Sequence, residues 1–257
     1  MTEYIDPDLK EFLENNNSAD FEGLWSRNDP WFEEPNVGRS RSGWSGVCRI
    51  ELEGRGFFLK KQENFLTYSI KTPLGISVAE KEFNNLEFCR ENKIPAMRVA
   101  YFGVRKVAEK VQAVIMTEEL KGYYDLSTAI NYFQENNPDL TQKRKVIRQI
   151  ALMLRDAHKK NFVHYSLYPK HIFVSEKFIE EANDDAKPLC RFIDLEKAVR
   201  IPWGKKKQLR DLETLNRRSD YWSKSDRLYF LLAYLMRKNV DKEVRKILKK
   251  IDSISKK

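Results

Sequence analysis

The chain has 257 residues, 41% hydrophobic and 33% charged, a length that suits one large domain or two small lobes around a buried cleft. That composition excludes wholesale disorder, a collagen-like repeat and a disulfide scaffold, and no apolar run approaches the roughly 20 residues needed to span a bilayer. The net charge of +9, from 47 Lys+Arg against 38 Asp+Glu, favours an anionic partner: nucleic acid, phospholipid headgroups or a phosphorylated sugar. The N-terminus is acidic and polar rather than a secretory signal, so a cytosolic protein is expected. Cys48, Cys89 and Cys190 are odd in number and form no C-x-x-C pair, which points to reduced, buried or half-buried thiols rather than zinc.

In chain order, residues 1–36 read as a polar N-terminal extension, with the aromatic cluster Trp25, Trp31 and Phe32 ahead of Pro35, forming a short helix and a strand that lead into the domain. Gly43-Trp44-Ser45-Gly46-Val47 reads as a shortened glycine-containing turn, and 44–61 as a β-hairpin turning at Gly54-Arg55-Gly56. Helical spacing over 77–92 is followed by strands at about 97–105 and 110–117. Glu118–Gly122 breaks the pattern like a hinge, and beyond it the chain turns helical at Leu126–Glu135, Thr141–Lys160 and within 208–255. This order predicts an α+β, bilobal architecture, with a β-rich lobe over 37–120 and a larger helical lobe over 121–257. A cleft is expected at the hinge, with Lys60 on one side and Asp194 on the other.

Four segments carry phosphate chemistry in kinase order. Glycines such as Gly43 and Gly46 let backbone N–H groups approach a phosphate where a Cβ would clash. Lys60 ends the apolar strand Phe57-Phe58-Leu59-Lys60, the shape of the kinase V-A-I-K strand. Strand alternation puts Phe58 and Lys60 on one face and turns Lys61 away. An inward lysine needs an anionic partner, and the following helix offers Glu82, with Glu80 and Glu87 open alternatives. The segment His164-Tyr165-Ser166-Leu167-Tyr168-Pro169-Lys170-His171 aligns with the catalytic loop H-R-D-x-x-x-x-N, placing Ser166 at the aspartate and His171 at the asparagine. His164 reads as a loop anchor rather than a catalyst. Asp194, directly after an apolar strand, stands where kinases hold Mg²⁺, with His171 able to add a nitrogen ligand.

These stretches, with Glu33-Glu34-Pro35-Asn36, Phe192-Ile193-Asp194-Leu195-Glu196-Lys197-Ala198, Arg210-Asp211-Leu212 and Ser225–Leu231, resemble bacterial lipopolysaccharide kinases of the Kdo/WaaP type, particularly the InaA-like branch. The resemblance covers roughly residues 31–235. It implies a kinase fold, ATP and Mg²⁺ as cofactors, and phosphoryl transfer to a sugar hydroxyl of an anionic glycolipid, the lipopolysaccharide core. It also implies work in the cytoplasm at the inner-membrane face. Lys60, Ser166 and Asp194 would carry the reaction; Gly43, Gly46, Lys60 and Glu82 would serve the nucleotide, and Asp194 and His171 the metal. One departure stands out, because the resemblance implies an aspartate where this chain has Ser166, and a serine hydroxyl is no general base. The alternative reading is therefore a pseudokinase with a regulatory or stress-related binding role.

Only 16 residues separate Asp194 from Asp211 and no A-P-E motif occurs there, which argues against a peptide-docking protein kinase. Lys205-Lys206-Lys207 comes with no recognition motif, so nucleic acid is not expected as a partner, and with Trp203 the run could instead touch anionic lipid. The apolar residues of 228–235 are expected in a buried core helix rather than on a membrane.

Overall fold

A computed structural model describes residues 2–37, 43–69, 72–136, 140–181, 189–202, 205–219 and 222–255. The chain divides into two compact units, residues 1–88 with 97–121, and residues 89–96 with 122–257.

The first unit is built on an antiparallel sheet. Its strands are β1 (Thr2–Ile5), β2 (Trp31–Val37), β3 (Trp44–Leu52), β4 (Arg55–Glu63), β7 (Val99–Val107) and β8 (Lys110–Glu118), in the order β1-β7-β8-β4-β3-β2. A separate hairpin joins β5 (Leu66–Ser69) to β6 (Thr72–Ser77). Leu52 pairs with Arg55, so the β3–β4 loop has two residues; Glu53 and Gly54 both take positive φ (47° and 77°), the type I′ geometry that matches strand twist. The turn is thus one residue earlier than expected, and Gly56 lies within β4.

Alternation along β4 gives the sheet two different faces. Phe57 and Leu59 join Cys48, Ile50, Leu52, Tyr101, Val114 and Met116 in a core sealed by α1 (Lys10–Asn15) and α2 (Phe21–Ser26) through Leu9, Leu13, Phe21 and Leu24. Residues 1–36 are therefore no extension. They supply two edge strands and the helical cover of this core, with β1 pairing to β7 about a hundred residues away. Lys61 points into this same core face, and its ammonium donates to the carbonyls of Trp25 and Arg27 at the end of α2. There it caps the negative end of the helix dipole.

The glycine segment also differs from expectation. Trp44–Val47, expected in a turn, instead form the start of β3, where they pair with β2 and β4. A Cβ on Gly46 would lie 2.7 Å from the Trp31 ring, and one on Gly43 only 2.2 Å from the Asn64 backbone. Close packing thus accounts for glycine at both positions, whatever approaches them.

The second unit is mostly helical. Helix α5 (Leu140–Lys159) buries Val146, Ile150, Ala151, Leu154 and Ala157 along one face and packs against α8 (Lys224–Leu235), where Phe230 and Leu231 are buried. Ser223 and Asp226 form a capping box on α8, and Lys143 of α5 reaches the Asp226 carboxylate at 2.7 Å. Helices α4 (Leu126–Asn136), α6 (Glu176–Glu181), α7 (Lys205–Arg218) and α9 (Lys242–Ser255) complete the set. Two small sheets lie among them: β9 (Tyr123–Asp125), β11 (Ile172–Ser175) and β12 (Cys190–Phe192) in the order β12-β11-β9, and β10 (Phe162–Val163) with β13 (Val199–Arg200). No helix among the described residues is long and apolar enough to cross a membrane. The three cysteines are free and buried, and burial pushes the thiols of Cys89 and Cys190 up to about 12.

Candidate active site

In the first unit, the face of β4 opposite the core carries Phe58, Lys60 and Gln62. Gln62 fixes what sits above it. Its amide nitrogen donates to Ser45 Oγ at 3.1 Å, and its oxygen accepts the backbone N–H of Ala79 at 2.8 Å. Ala79 lies in the first turn of α3 (Val78–Glu91), and Ser77 Oγ accepts from Glu80 N at 2.9 Å, so both side chains cap this helix start. One helical turn beyond Ala79 stands Glu82, and one strand repeat before Gln62 stands Lys60. The two meet, Lys60 Nζ to Glu82 Oε2 at 2.7 Å. Of the three glutamates that the spacing left open, Glu82 makes the pair. Its side chain is 3% exposed and that of Lys60 is 20%, leaving the ammonium as the accessible half.

In the second unit, β10 delivers a loop, His164–Tyr168, and a 3-10 turn, Pro169–His171, before β11 begins. Its anchor is Asp211 on α7, 1% exposed. One carboxylate oxygen accepts the backbone N–H of His164 and the other that of Tyr165, both at 2.8 Å, while His158 Nε2 lies 3.2 Å away. Tyr165 has φ +65°, a strained conformation for a bulky residue, and Asp211 holds it there. His164 is an anchor as well. Its Nε2–H donates to the carbonyl of Ile193 at 3.0 Å, fixing the residue before Asp194, while its buried Nδ1 has no partner among the described residues. Burial pushes the His164 imidazole below its ordinary value, so it is the neutral ring that is accommodated.

His171 and Asp194 are brought together by this scaffold. Ile193 N donates to the His171 carbonyl at 3.1 Å, and Asp194 follows in the left-handed region (φ +55°), which aspartate tolerates. The His171 ring lies stacked beside His164 (centroids 5.8 Å apart) and edge-on to Tyr168 (5.4 Å). Its Nδ1 lies 2.8 Å from the carbonyl of Ser166, and a carbonyl can only accept, so the ring proton sits on Nδ1. Nε2 then turns its lone pair toward Asp194 Oδ2, 3.2 Å away. Burial also lowers the His171 pKa, against a second ring proton. Two acceptors facing each other at this distance make a donor set for a cation, so the residues fit a magnesium ion bound by Asp194 with His171 beside it. Among the described residues no group of three or more His, Cys, Asp or Glu forms a larger metal cluster.

Ser166, between these elements, is 5% exposed, and its hydroxyl makes no hydrogen bond among the described residues. The geometry thus gathers the expected residues into two sets, Lys60 with Glu82 and Ser166 with His171 and Asp194. Nothing in the local sequence around Arg210-Asp211-Leu212 marks out a role for Asp211. Buried and holding two loop amides, it is the structural centre of the second set.

Comparison with known proteins follows the same lines. The sequence model of the Lipopolysaccharide kinase (Kdo/WaaP) family matches residues 22–234. Protein InaA of Escherichia coli (strain K12) is 26% identical over 183 residues, covering 70% of this chain and 79% of its own. The Lipopolysaccharide core heptose(I) kinase WaaP of Pseudomonas aeruginosa is 27% identical over 240 residues, 84% of either chain. Among solved structures, WaaP in complex with acyl carrier protein superposes with a TM-score of 0.68 at 23% identity, covering 97% of this chain and 92% of that one, a likeness of fold.

Proposed function

The chain belongs to the Lipopolysaccharide kinase (Kdo/WaaP) family, and from that premise we propose that it is an ATP-dependent phosphotransferase acting on a sugar hydroxyl of a lipopolysaccharide core. The observation that carries the reading is the pairing of Asp194 Oδ2 with the His171 Nε2 lone pair at 3.2 Å. Lys60, oriented by Glu82, would neutralise phosphate oxygens of ATP; Asp194 and His171 would hold a magnesium ion, whose chemistry would be to offset phosphate charge. Ser166 faces the acceptor hydroxyl. It can accept that hydroxyl's hydrogen bond but cannot take its proton at neutral pH. The transition state of phosphoryl transfer is loose, so much of its stabilisation is electrostatic and does not need a base.

Incubating the protein with γ-labelled ATP, Mg²⁺ and rough-core lipopolysaccharide tests the assignment. Label is expected on the core sugar, and Asp194→Ala is expected to remove it. Ser166 itself favours a second reading, a family member that binds nucleotide without transferring phosphate. Tight Mg·ATP binding with no label on any glycolipid establishes that reading and overturns the first.

A further inference from the structure

Helix α7 bears a charged stripe that the reaction scheme leaves unused. Positions 207, 210, 214 and 218 recur at spacings of three, four and four, so they share one face. Lys207, Arg210 and Arg218 are exposed, while Thr214 between them is 7% exposed. All three cations lie over rings of the loop that carries Ser166. Lys207 Nζ is 5.3 Å and the Arg210 guanidinium 5.1 Å from the Tyr165 ring centre, and the Arg218 guanidinium is 5.5 Å from that of Tyr168. Two cations therefore stand at the residue before Ser166 and a third at the residue two after it.

Their lack of counter-charge separates them from their neighbours. Among the described residues, Lys207, Arg210 and Arg218 have no carboxylate within ion-pair distance, whereas Arg217, one position from Arg218, is paired with Glu213 at 2.8 Å. Arg227 spends its donors on the carbonyls of Trp222 and Ser219 and on Asn216 Oδ1. A solvated basic face would not need its cations steered over the rings of one functional loop. The ring contacts are weak at exposed sites, and they leave the edge N–H groups of both guanidiniums able to bind an anion.

We propose that this stripe is an acceptor subsite that grips two anionic groups, phosphates or carboxylates, on an oligosaccharide. Lys207 and Arg210 hold one group and Arg218 the other, so that the hydroxyl lying between them is presented to Ser166. Arg210 and Arg218 are eight residues apart, about 12 Å along a helix. That span suits anionic groups on different sugars and exceeds a single phosphate. The subsite rests on the kinase reading of Ser166, and binding measured without nucleotide separates the two.

The probe is de-acylated rough-core oligosaccharide, titrated calorimetrically into the wild type, Arg218→Gln, and the double variant Lys207→Gln/Arg210→Gln. Each variant is expected to bind it about tenfold or more weakly, the usual loss for a charge-assisted hydrogen bond, with partial recovery in Arg218→Lys. Mg·ATP affinity should stay at the wild-type value in every variant, which also shows that each has folded. Oligosaccharide stripped of phosphate, or with its carboxyls reduced, identifies which anion is held, by losing affinity to the same extent. Wild-type affinity for the oligosaccharide in both variants overturns the subsite, as does a wild type that binds Mg·ATP but not the oligosaccharide. Failure to bind Mg·ATP at all would strike the kinase reading instead.

Discussion

Lys60 with Glu82, and Asp194 with His171, are two polar pairs of similar separation, 2.7 and 3.2 Å, and opposite character. The first joins a cation to an anion that is almost fully buried, so Glu82 is satisfied within the protein and Lys60 is aimed. The second sets a carboxylate oxygen against the lone pair of His171 Nε2, because the ring's proton is on Nδ1 and goes to the Ser166 carbonyl. One pair joins opposite charges, and the other, two facing acceptors, has the character of a site that a cation would complete. A charge pair can be built by a strand and a helix alone, here through the cap that Gln62 places on α3. Two facing acceptors must be forced together, and the second unit does so with a strained Tyr165, a left-handed Asp194 and the buried Asp211.

If forcing is what the second pair requires, removing Asp211 should do the most damage. Asp211→Ala leaves the His164 and Tyr165 amides without their acceptor in a buried site, and it is expected to cost about 3–5 kcal/mol in denaturant unfolding. A loss below about 1 kcal/mol would mean that the loop holds itself. The next effect concerns chemistry rather than scaffold. On the proposed function, Ser166→Asp would place a proton-accepting group beside the acceptor hydroxyl, and transfer to a core sugar should rise by about a hundredfold or more, since positioned bases contribute typically 10²–10⁴. Transfer equal to that of the wild type would show that no base was missing.

The smallest effect is a pH dependence. Burial holds the His164 pKa below its unfolded value, so the unfolded chain takes up the proton first as pH falls. Stability from this group is fully present above the unfolded value of about 6.5 and declines below it, by at most about 1.4 kcal/mol per pH unit. Thermal melts from pH 8 to pH 5.5 should show a falling Tm that is shallower in His164→Gln. Equal slopes in the two proteins would contradict a neutral, buried His164.

The two pairs differ in how legible they are in the sequence. The first was legible because period-two alternation turned Lys60 inward and helical spacing left only Glu80, Glu82 and Glu87 as partners. Choosing among them needed the Gln62 cap, a tertiary contact. For the second pair, Ser166, His171 and Asp194 were legible by their spacing along the loop and after the strand. Asp211 was not, since nothing local says that a helix more than forty residues on will hold a loop. Non-local pairing also hid the role of residues 1–36, whose β1 completes the sheet edge on β7. Lys61 was rightly turned away from Lys60, yet the face it meets is core, where the end of α2 accepts it. Gly43 and Gly46 looked like a phosphate turn because a glycine needed for close packing against Asn64 and Trp31 is spelled the same way. The Lys207–Arg218 stripe was present as a helical period, but its meaning depends on which loop α7 faces.

The central proposal, that Lys60 serves the phosphates of ATP and Asp194 its magnesium ion, is tested most directly by calorimetry with and without Mg²⁺. The wild type should bind ATP more tightly when Mg²⁺ is present. Lys60→Ala should weaken binding about tenfold or more, and Asp194→Ala should abolish the gain from Mg²⁺. Unchanged affinity and unchanged Mg²⁺ dependence in both variants would contradict the account.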